Sequence, residues 1–370
     1  MPSIKCSETG LIYRNPKPHV QSLHAYFPSV VQLMNGNLVS TMSIGQAFEA
    51  EDLHVNISTS KDKGSTWTLE GPMLKGEGAN HTSDCTRISM TDEGELVSFL
   101  IKYNRSREGE GLTNPENLGF VETELFIARS NDGGQNWSAL ERIEPPLVGP
   151  NFEMNSPITF LKDGRWLLPT STWRGWDGYC PNGMKAVAFV SYDCGKTWTE
   201  YVDVMKDTNN QIIYWESKVL ELKDKRLLAV SWAYNEKEKC DLHNQYAISN
   251  DYGKSFSKPM STGLIGQTLT PILLDDGRVL SVYRRMDKTG LWANISRIDG
   301  DMWVNEKQIP LWGTGEDGLV STDKSMSKNF AVLKFGASCL MKMKDNKIFV
   351  VFWAVEDFVS NIRWIKLDVI

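Results

Sequence analysis

The chain has 370 residues, of which 41% are hydrophobic and 23% charged, with a net charge of −6 and no basic run; this is the composition of a globular protein and excludes nucleic acid as an expected partner. The opening Met1-Pro-Ser-Ile-Lys-Cys-Ser-Glu lacks the apolar core of a secretion signal, and no stretch reads as a spanning helix, so a cytoplasmic location with no membrane partner is expected. The six Cys form no CxxC pair and the five His no HxH or HExxH pattern, so free buried thiols, no metal and no cofactor are expected.

Two phrases alternate along the chain. After a short apolar run at Gly10-Leu11-Ile12-Tyr13, the first hairpin signal is Val31 to Val39 around Asn35-Gly36. Ser60-x-Asp62-x-Gly64-x-Thr66-Trp67 follows. Ile88 to Val97, turning at Asp92 to Gly94, is the second hairpin. Tyr103 to Leu118 reads as a long loop over one face. Ser130-x-Asp132-x-Gly134-x-Asn136-Trp137 repeats the second phrase. Hairpins then turn at Asp163-Gly164, Asp224-Lys225, Asp276-Gly277 and Asp345-Asn346. Between them stand Ser191 to Trp198, Ser249 to Phe256 and a decayed copy, Ser296 to Trp303. Asn361 to Leu367 reads as a closing strand. The five copies start 70, 61, 58 and 47 residues apart, a repeat on the scale of a propeller blade.

Each part of the second phrase has a local job. The Asp accepts backbone N–H bonds and closes a turn, the Gly takes positive φ, and the aromatic ring drops back into the core. The unit is strand, Asp-Gly turn, strand, long connection, strand, clasp, strand. Six such units predict an all-β, six-bladed propeller of four-stranded antiparallel blades, one domain over residues 1–370. Gly10 to Tyr13 is expected to complete the last blade as its outer strand.

Hairpin turns and clasps fall on one face, so ligand contacts are expected on the other, where the inner strands converge. The polar and aromatic residues there are His24, Tyr26 and the Glu49 to Asp52 loop; then Asp84, Arg87, Lys102 and Tyr103; then Asn155, Trp173, Arg174 and Asp177. Blade four offers Trp215, Glu216, Trp232 and Tyr234, blade five Gln267, Tyr283, Arg284 and Arg285, and blade six Trp353 and Glu356. Aromatic platforms with carboxylates and arginines suit a carbohydrate, an acidic one in particular, and paired carboxylates are what glycoside cleavage uses. The bland reading stands beside each: a Trp at a strand end packs blades, a lone Arg bonds loop carbonyls, and Glu51-Asp52 is a solvated loop. Glu216 is hardest to dismiss, because an unpaired carboxylate before an apolar hairpin is costly.

With its four clear clasps, six hairpins and Tyr214-Trp-Glu216-Ser-Lys-Val-Leu-Glu221-Leu, the chain resembles the sialidase superfamily of Asp-box propellers over nearly its whole length. The resemblance implies that Glu216 is the carboxylate partner of the family's tyrosine nucleophile. It puts the acid in the loop from Glu49 to Asp52, with Asp52 the best single choice. The family's first substrate arginine falls on Tyr26 of Tyr26-Phe27-Pro28, its second on Trp232 and its nucleophile near Trp353; Arg284 and Arg285 stand near the third arginine. The expectation is therefore an exo-acting glycosidase for a terminal sugar other than sialic acid. Glu216 is its base or nucleophile, Asp52 or Glu356 its acid, and Arg284 and Arg285 bind a polar substituent. Tyr26, Arg87, Trp173, Arg174, Asp177, Trp232, Tyr283 and Trp353 complete the substrate contacts. That reading requires Glu216, Asp52 and Glu356 to share a pocket. The alternatives are a lyase using His24 or Tyr26 as base, and a sugar-binding propeller without catalysis.

Overall fold

The computed structural model describes residues 3–75, 81–154, 156–316, 318–320 and 326–369. Strands alternate with tight turns from end to end. Blade 1 is His24–Gln32, Leu38–Gly45, His54–Ser60 and Thr68–Pro72; blade 2 is Thr82–Met90, Leu96–Asn104, Thr123–Ser130 and Glu141–Arg142. Blade 3 has a broken inner strand, Asn151–Phe152 and Thr159–Phe160, then Trp166–Trp173, Ala186–Ser191 and Glu200–Met205. Blade 4 is Ile212–Glu221, Leu227–Asn235 and His243–Ser249, and its outer strand is the first part of Met260–Leu273. The second part of that strand is the inner strand of blade 5, followed by Val279–Arg285, Leu291–Asp299 and Met302–Trp312, so these two blades form one continuous sheet. Blade 6 is Phe335–Lys342, Ile348–Glu356 and Val359–Val369, completed by the N-terminal strand Ile4–Tyr13. Gly10 pairs with Trp364 and Tyr13 with Ile362, which closes the ring where the sequence places its closure.

Apolar alternation along each strand supplies the core. A separate buried cluster lies between each neighbouring pair of blades: Val39 and Leu96 between blades 1 and 2, Phe99 and Phe189 between 2 and 3, Leu167 and Leu227 between 3 and 4. Val230 and Val279, Val282 and Phe352, and Phe349 with Leu38 complete the circle. Burial of such area, at about 25 cal/mol per Å², holds blade to blade.

The clasps are closed as their residue types dictate. Ser191 Oγ donates to Asp193 Oδ1 at 2.8 Å and accepts the Gly195 N–H at 2.8 Å; Asp193 also receives the Thr197 N–H at 2.9 Å and its hydroxyl at 2.7 Å. The same four bonds recur at Asp62, Asp132 and Asp251, with Asn136 and Ser255 replacing the Thr. In blade 5 there is no clasp. Asp299 pairs with Met302 across a two-residue hairpin, and Ser296 Oγ donates to Asn305 instead.

One regularity of the fold has no counterpart in the sequence. The inner strands of blades 1, 4, 5 and 6 each carry one extra residue, between Tyr26 and Ser29, Trp215 and Lys218, Gln267 and Thr270, and Gly336 and Cys339. At each bulge a non-glycine residue takes left-handed φ: Phe27 at 53°, Glu216 at 52°, Thr268 at 56° and Ala337 at 48°. Such backbone costs on the order of 1 kcal/mol per residue, and the surrounding contacts must hold it in place. The cysteines are free, but Cys6, Cys194 and Cys240 are exposed rather than buried; they sit on edge strands and turns. No helix among the described residues is long and apolar enough to cross a membrane.

Candidate functional site

The four bulges lie on the consecutive blades 4, 5, 6 and 1, and their residues Phe27, Glu216, Thr268 and Ala337 all line one cavity at the axis, of about 120 Å³. At about 10–15 Å³ per water, that is room for on the order of ten waters, comparable with one sugar ring.

The charged groups of the cavity face one another across the ring. Glu49 of the blade 1 loop and Glu216 of blade 4 come from blades three apart, hence from opposite sides; so do Arg87 of blade 2 and Arg284 of blade 5. Glu216 sits between cations. Lys218 Nζ lies 3.8 Å from its Oε2 and donates to its backbone carbonyl at 2.9 Å, while Arg284 is within electrostatic reach. The Glu216 backbone N–H donates to Glu153 Oε2 at 2.9 Å, so a carboxylate of blade 3 fixes the bulge of blade 4. Burial lowers the pKa of Lys218, with Glu216 opposing.

Glu49 is the second carboxylate. Its Oε2 accepts the Leu112 N–H at 2.7 Å, and its Oε1 accepts the Thr113 hydroxyl at 3.3 Å. Burial raises its pKa, against the pull of those hydrogen bonds. Asp84, also in the wall, is committed to the Val55 N–H at 2.7 Å and to His54 Nδ1 at 2.7 Å.

Arg284 is 2% exposed. Its Nε and Nη2 donate to Gln267 Oε1 at 2.9 and 2.6 Å, and its Nη1 to the Phe335 carbonyl at 2.7 Å. Gln267 donates to Asp241 at 2.8 Å, and Asp241 accepts the Trp232 indole N–H at 2.6 Å. This chain holds the guanidinium rigid, and two of its five N–H donors have no partner among the described residues. A Cβ at Gly336 would stand 2.3 Å from Arg284 Nη1, so this residue must be glycine for the arginine to lie there. Burial pulls the guanidinium pKa down to about 10, with Glu216 and Asp241 opposing. Arg87 donates to the Phe27 carbonyl at 2.8 Å and so braces the blade 1 bulge.

Aromatic rings make the rest of the wall. Trp215 and Trp232 stack at 4.2 Å and 5°, and Trp353 packs on Tyr26 and Phe48. The short helix Met326–Ala331 brings Phe330 edge-on to Trp215. Tyr103 is the one tyrosine of the lining among the described residues. Its hydroxyl lies 3.5 Å from Cys85 Sγ, and burial, then Cys85, raise its pKa well above 10, which keeps the phenol neutral.

The structure thus brings together Glu49, Asp84, Arg87, Tyr103, Trp215, Glu216, Trp232, Arg284 and Trp353 from the sequence expectation. The others lie elsewhere. Asp52 is exposed and caps the Gln46 N–H at 3.0 Å, because the loop turns its neighbour Leu53 inward instead. Glu356 is held by Arg363 at 2.6 Å in blade 6. Glu216, Asp52 and Glu356 therefore do not share a pocket, which overturns the hydrolase with Asp52 or Glu356 as its acid; the residue of the Glu49 to Asp52 loop that reaches the cavity is Glu49. His24 accepts the Ser360 N–H at 3.1 Å, and Tyr26 is buried against Trp353, its pKa pushed up to about 12 by burial; neither lines the cavity, which removes the lyase that used them. Trp173 is fully buried and bonds the Leu118 carbonyl at 2.7 Å. Tyr283 is packed between blades 4 and 5. Arg174 forks onto Glu236 and Arg285 onto Asp287, and Asp177 caps Tyr179. Asn155 lies outside the described residues. Glu153, Phe27 and Phe48 escaped the sequence reading, since no local signal marks a bulge or a loop side chain that turns toward the axis.

Comparison with known proteins agrees with this architecture. A family described as "BNR repeat-like domain" matches residues 36–310. No curated protein matches the chain. Among solved structures, a protein of unknown function from Dyadobacter fermentans superposes with a TM-score of 0.75 at 21% identity, over 100% of both chains. The NanB sialidase of Streptococcus pneumoniae gives 0.66 at 12% identity, over 97% of this chain and 70% of that one. The Trypanosoma rangeli sialidase, solved in complex with sialic acid, gives 0.64 at 13% identity, over 99% and 58%. At these identities the likeness is one of fold, that of a sialidase-like propeller.

Proposed function

The chain belongs to the BNR repeat-like family, and from that footing we propose that the axial cavity is the active site of an exo-acting glycoside hydrolase that takes one terminal sugar. The observation that carries this reading is the pair of carboxylates, Glu49 and Glu216, entering a ring-sized cavity from opposite sides of the axis. Hydrolysis of a glycoside needs one carboxyl to protonate the leaving oxygen and one carboxylate to attack the anomeric carbon or to activate water. Glu49 suits the first task, because burial raises its pKa and favours the neutral acid. Glu216 suits the second, held toward the cavity by a strained bulge and flanked by Lys218 and Arg284. Trp232 and Trp353 offer apolar walls to the sugar, and the two unclaimed Arg284 donors suit an acidic or polar substituent. Tyr103, held neutral, is a poor nucleophile, which argues against the tyrosine chemistry of the resembled family and for a sugar other than sialic acid.

The test is a panel of aryl glycosides, uronides and sialosides included, with Glu216→Gln alongside. Turnover of at least one aryl glycoside, lost in Glu216→Gln, is expected. Turnover untouched by that substitution contradicts the assignment. Saturable binding of a sugar with no turnover makes the protein a sugar-binding propeller instead.

A further inference from the structure

A second hollow adjoins the cavity. Between blades 2 and 3, on the face where the cavity opens, runs a groove of about 680 Å³. Phe120 belongs to the walls of both hollows, its ring stacked at 4.8 Å on the buried Trp173. Beyond it stand Trp176 and Tyr179, the latter 58% exposed.

This groove is built in advance. The Trp176 carbonyl accepts the side-chain amides of Asn114 and Asn117 at 2.9 and 3.2 Å, and the Phe120 N–H donates to the Arg174 carbonyl at 3.0 Å. A Cβ at Gly119 would stand 2.0 Å from the Gly175 carbonyl oxygen, so the two loops meet at a distance only glycine allows. Arg107 lies over the Trp176 ring at 5.0 Å, and Asp177 closes the turn that presents Tyr179. Aromatic side chains beside Arg107, Asp177 and Glu122 match a ring that is apolar on its C–H face and hydroxylated at its edge. The mixed charges favour an uncharged ring.

We infer that this groove is a leaving-group subsite, which receives the second, neutral sugar ring of a substrate whose terminal ring lies in the axial cavity, with the scissile bond crossing at Phe120. The inference rests on the glycosidase reading. Its test compares Trp176→Ala and Tyr179→Ala with the wild type on two substrates: the glycosyl fluoride of the sugar that the panel identifies, whose leaving group leaves the groove empty, and a trisaccharide ending in the same sugar. kcat/KM on the trisaccharide is expected to fall about tenfold in each variant, the loss typical of removing an anchoring aromatic, while the glycosyl fluoride stays within about twofold. Tyr179 is exposed, so its variant keeps the comparison open if Trp176→Ala fails to fold. Equal loss on both substrates, or none on the trisaccharide, overturns the subsite and leaves the glycosidase reading standing. If the wild type turns over no glycoside, that reading fails. Binding to an array of neutral oligosaccharides then decides the groove: retention lost in Trp176→Ala upholds it as a sugar site, and no difference overturns it.

Discussion

On the clasp face, Asp62, Asp132, Asp193 and Asp251 each gather the same set of hydrogen bonds from residues within four positions. On the axial face no such repetition holds. The four equivalent bulges carry Phe27, Glu216, Thr268 and Ala337, and at the first two the contact that holds the bulge comes from another blade. Glu153 of blade 3 holds Glu216 of blade 4, and Arg87 of blade 2 holds Phe27 of blade 1. One face is a local device repeated, and its loss is a loss of stability. The other is assembled by ring closure, and its residues differ because only their joint arrangement does chemistry.

The largest effect expected on either face is at Glu216. Glu216→Gln should lower kcat at least about 10³-fold with little change in melting temperature, since the amide keeps the shape and loses the charge. Arg284→Lys comes next. Lysine cannot fork onto Gln267 and Phe335 together, and KM should rise about tenfold, with a smaller change in kcat. On the clasp face, Asp193→Ala should leave kinetics alone and cost about 1 kcal/mol in urea unfolding, a surface hydrogen-bond effect reduced by solvent. Its dependence on pH has a definite sign. The backbone N–H of Thr197, with the weaker help of its hydroxyl and Ser191, lowers Asp193 from 3.8 to about 2 against the opposing effect of burial. The stabilisation is therefore present above 3.8 and is lost as pH falls toward 2, where the gap between variant and wild type should close. The smallest effect is at the two-residue turn Asp357-Phe358, where both residues are left-handed, at 49° and 65°, and Phe358 is 95% exposed. Phe358→Gly should raise stability by about 0.5 kcal/mol with no kinetic change. A kinetic loss there would mean that strain on the axial face is functional beyond the bulges.

The same contrast explains what the sequence could tell. Hairpins and clasps are legible because turn chemistry is local: Asp, Gly and Ser act on neighbours a few positions away, and six repeats give the blade count. Glu216 is legible because its strand position and surroundings made an idle carboxylate implausible. Asp52 misled because the loop from Glu49 to Asp52 carries three acids, and which of them turns inward depends on Leu112 and Thr113, some sixty residues away. Trp173 and Glu356 sit at strand ends as a ligand contact would, yet one bonds the Leu118 carbonyl and the other Arg363. Arg87 and Arg284 were found for their charge, although much of what they do is to bind main-chain carbonyls of a neighbouring blade. The bulges left no trace, since Phe-Pro-Ser, Glu-Ser-Lys, Thr-Leu-Thr and Ala-Ser-Cys share no turn residue.

The central claim is that Glu49 and Glu216 form a catalytic pair across the axis, and the pH profile of kcat/KM tests it most directly, taken for wild type, Glu49→Gln and Asp52→Asn on an aryl glycoside with a poor leaving group. Burial raises the Glu49 pKa, so wild-type activity should fall as pH climbs through that raised value. Glu49→Gln should lose about 10²-fold in rate together with this alkaline limb, while Asp52→Asn keeps both. A profile unchanged in Glu49→Gln and abolished in Asp52→Asn would contradict the claim.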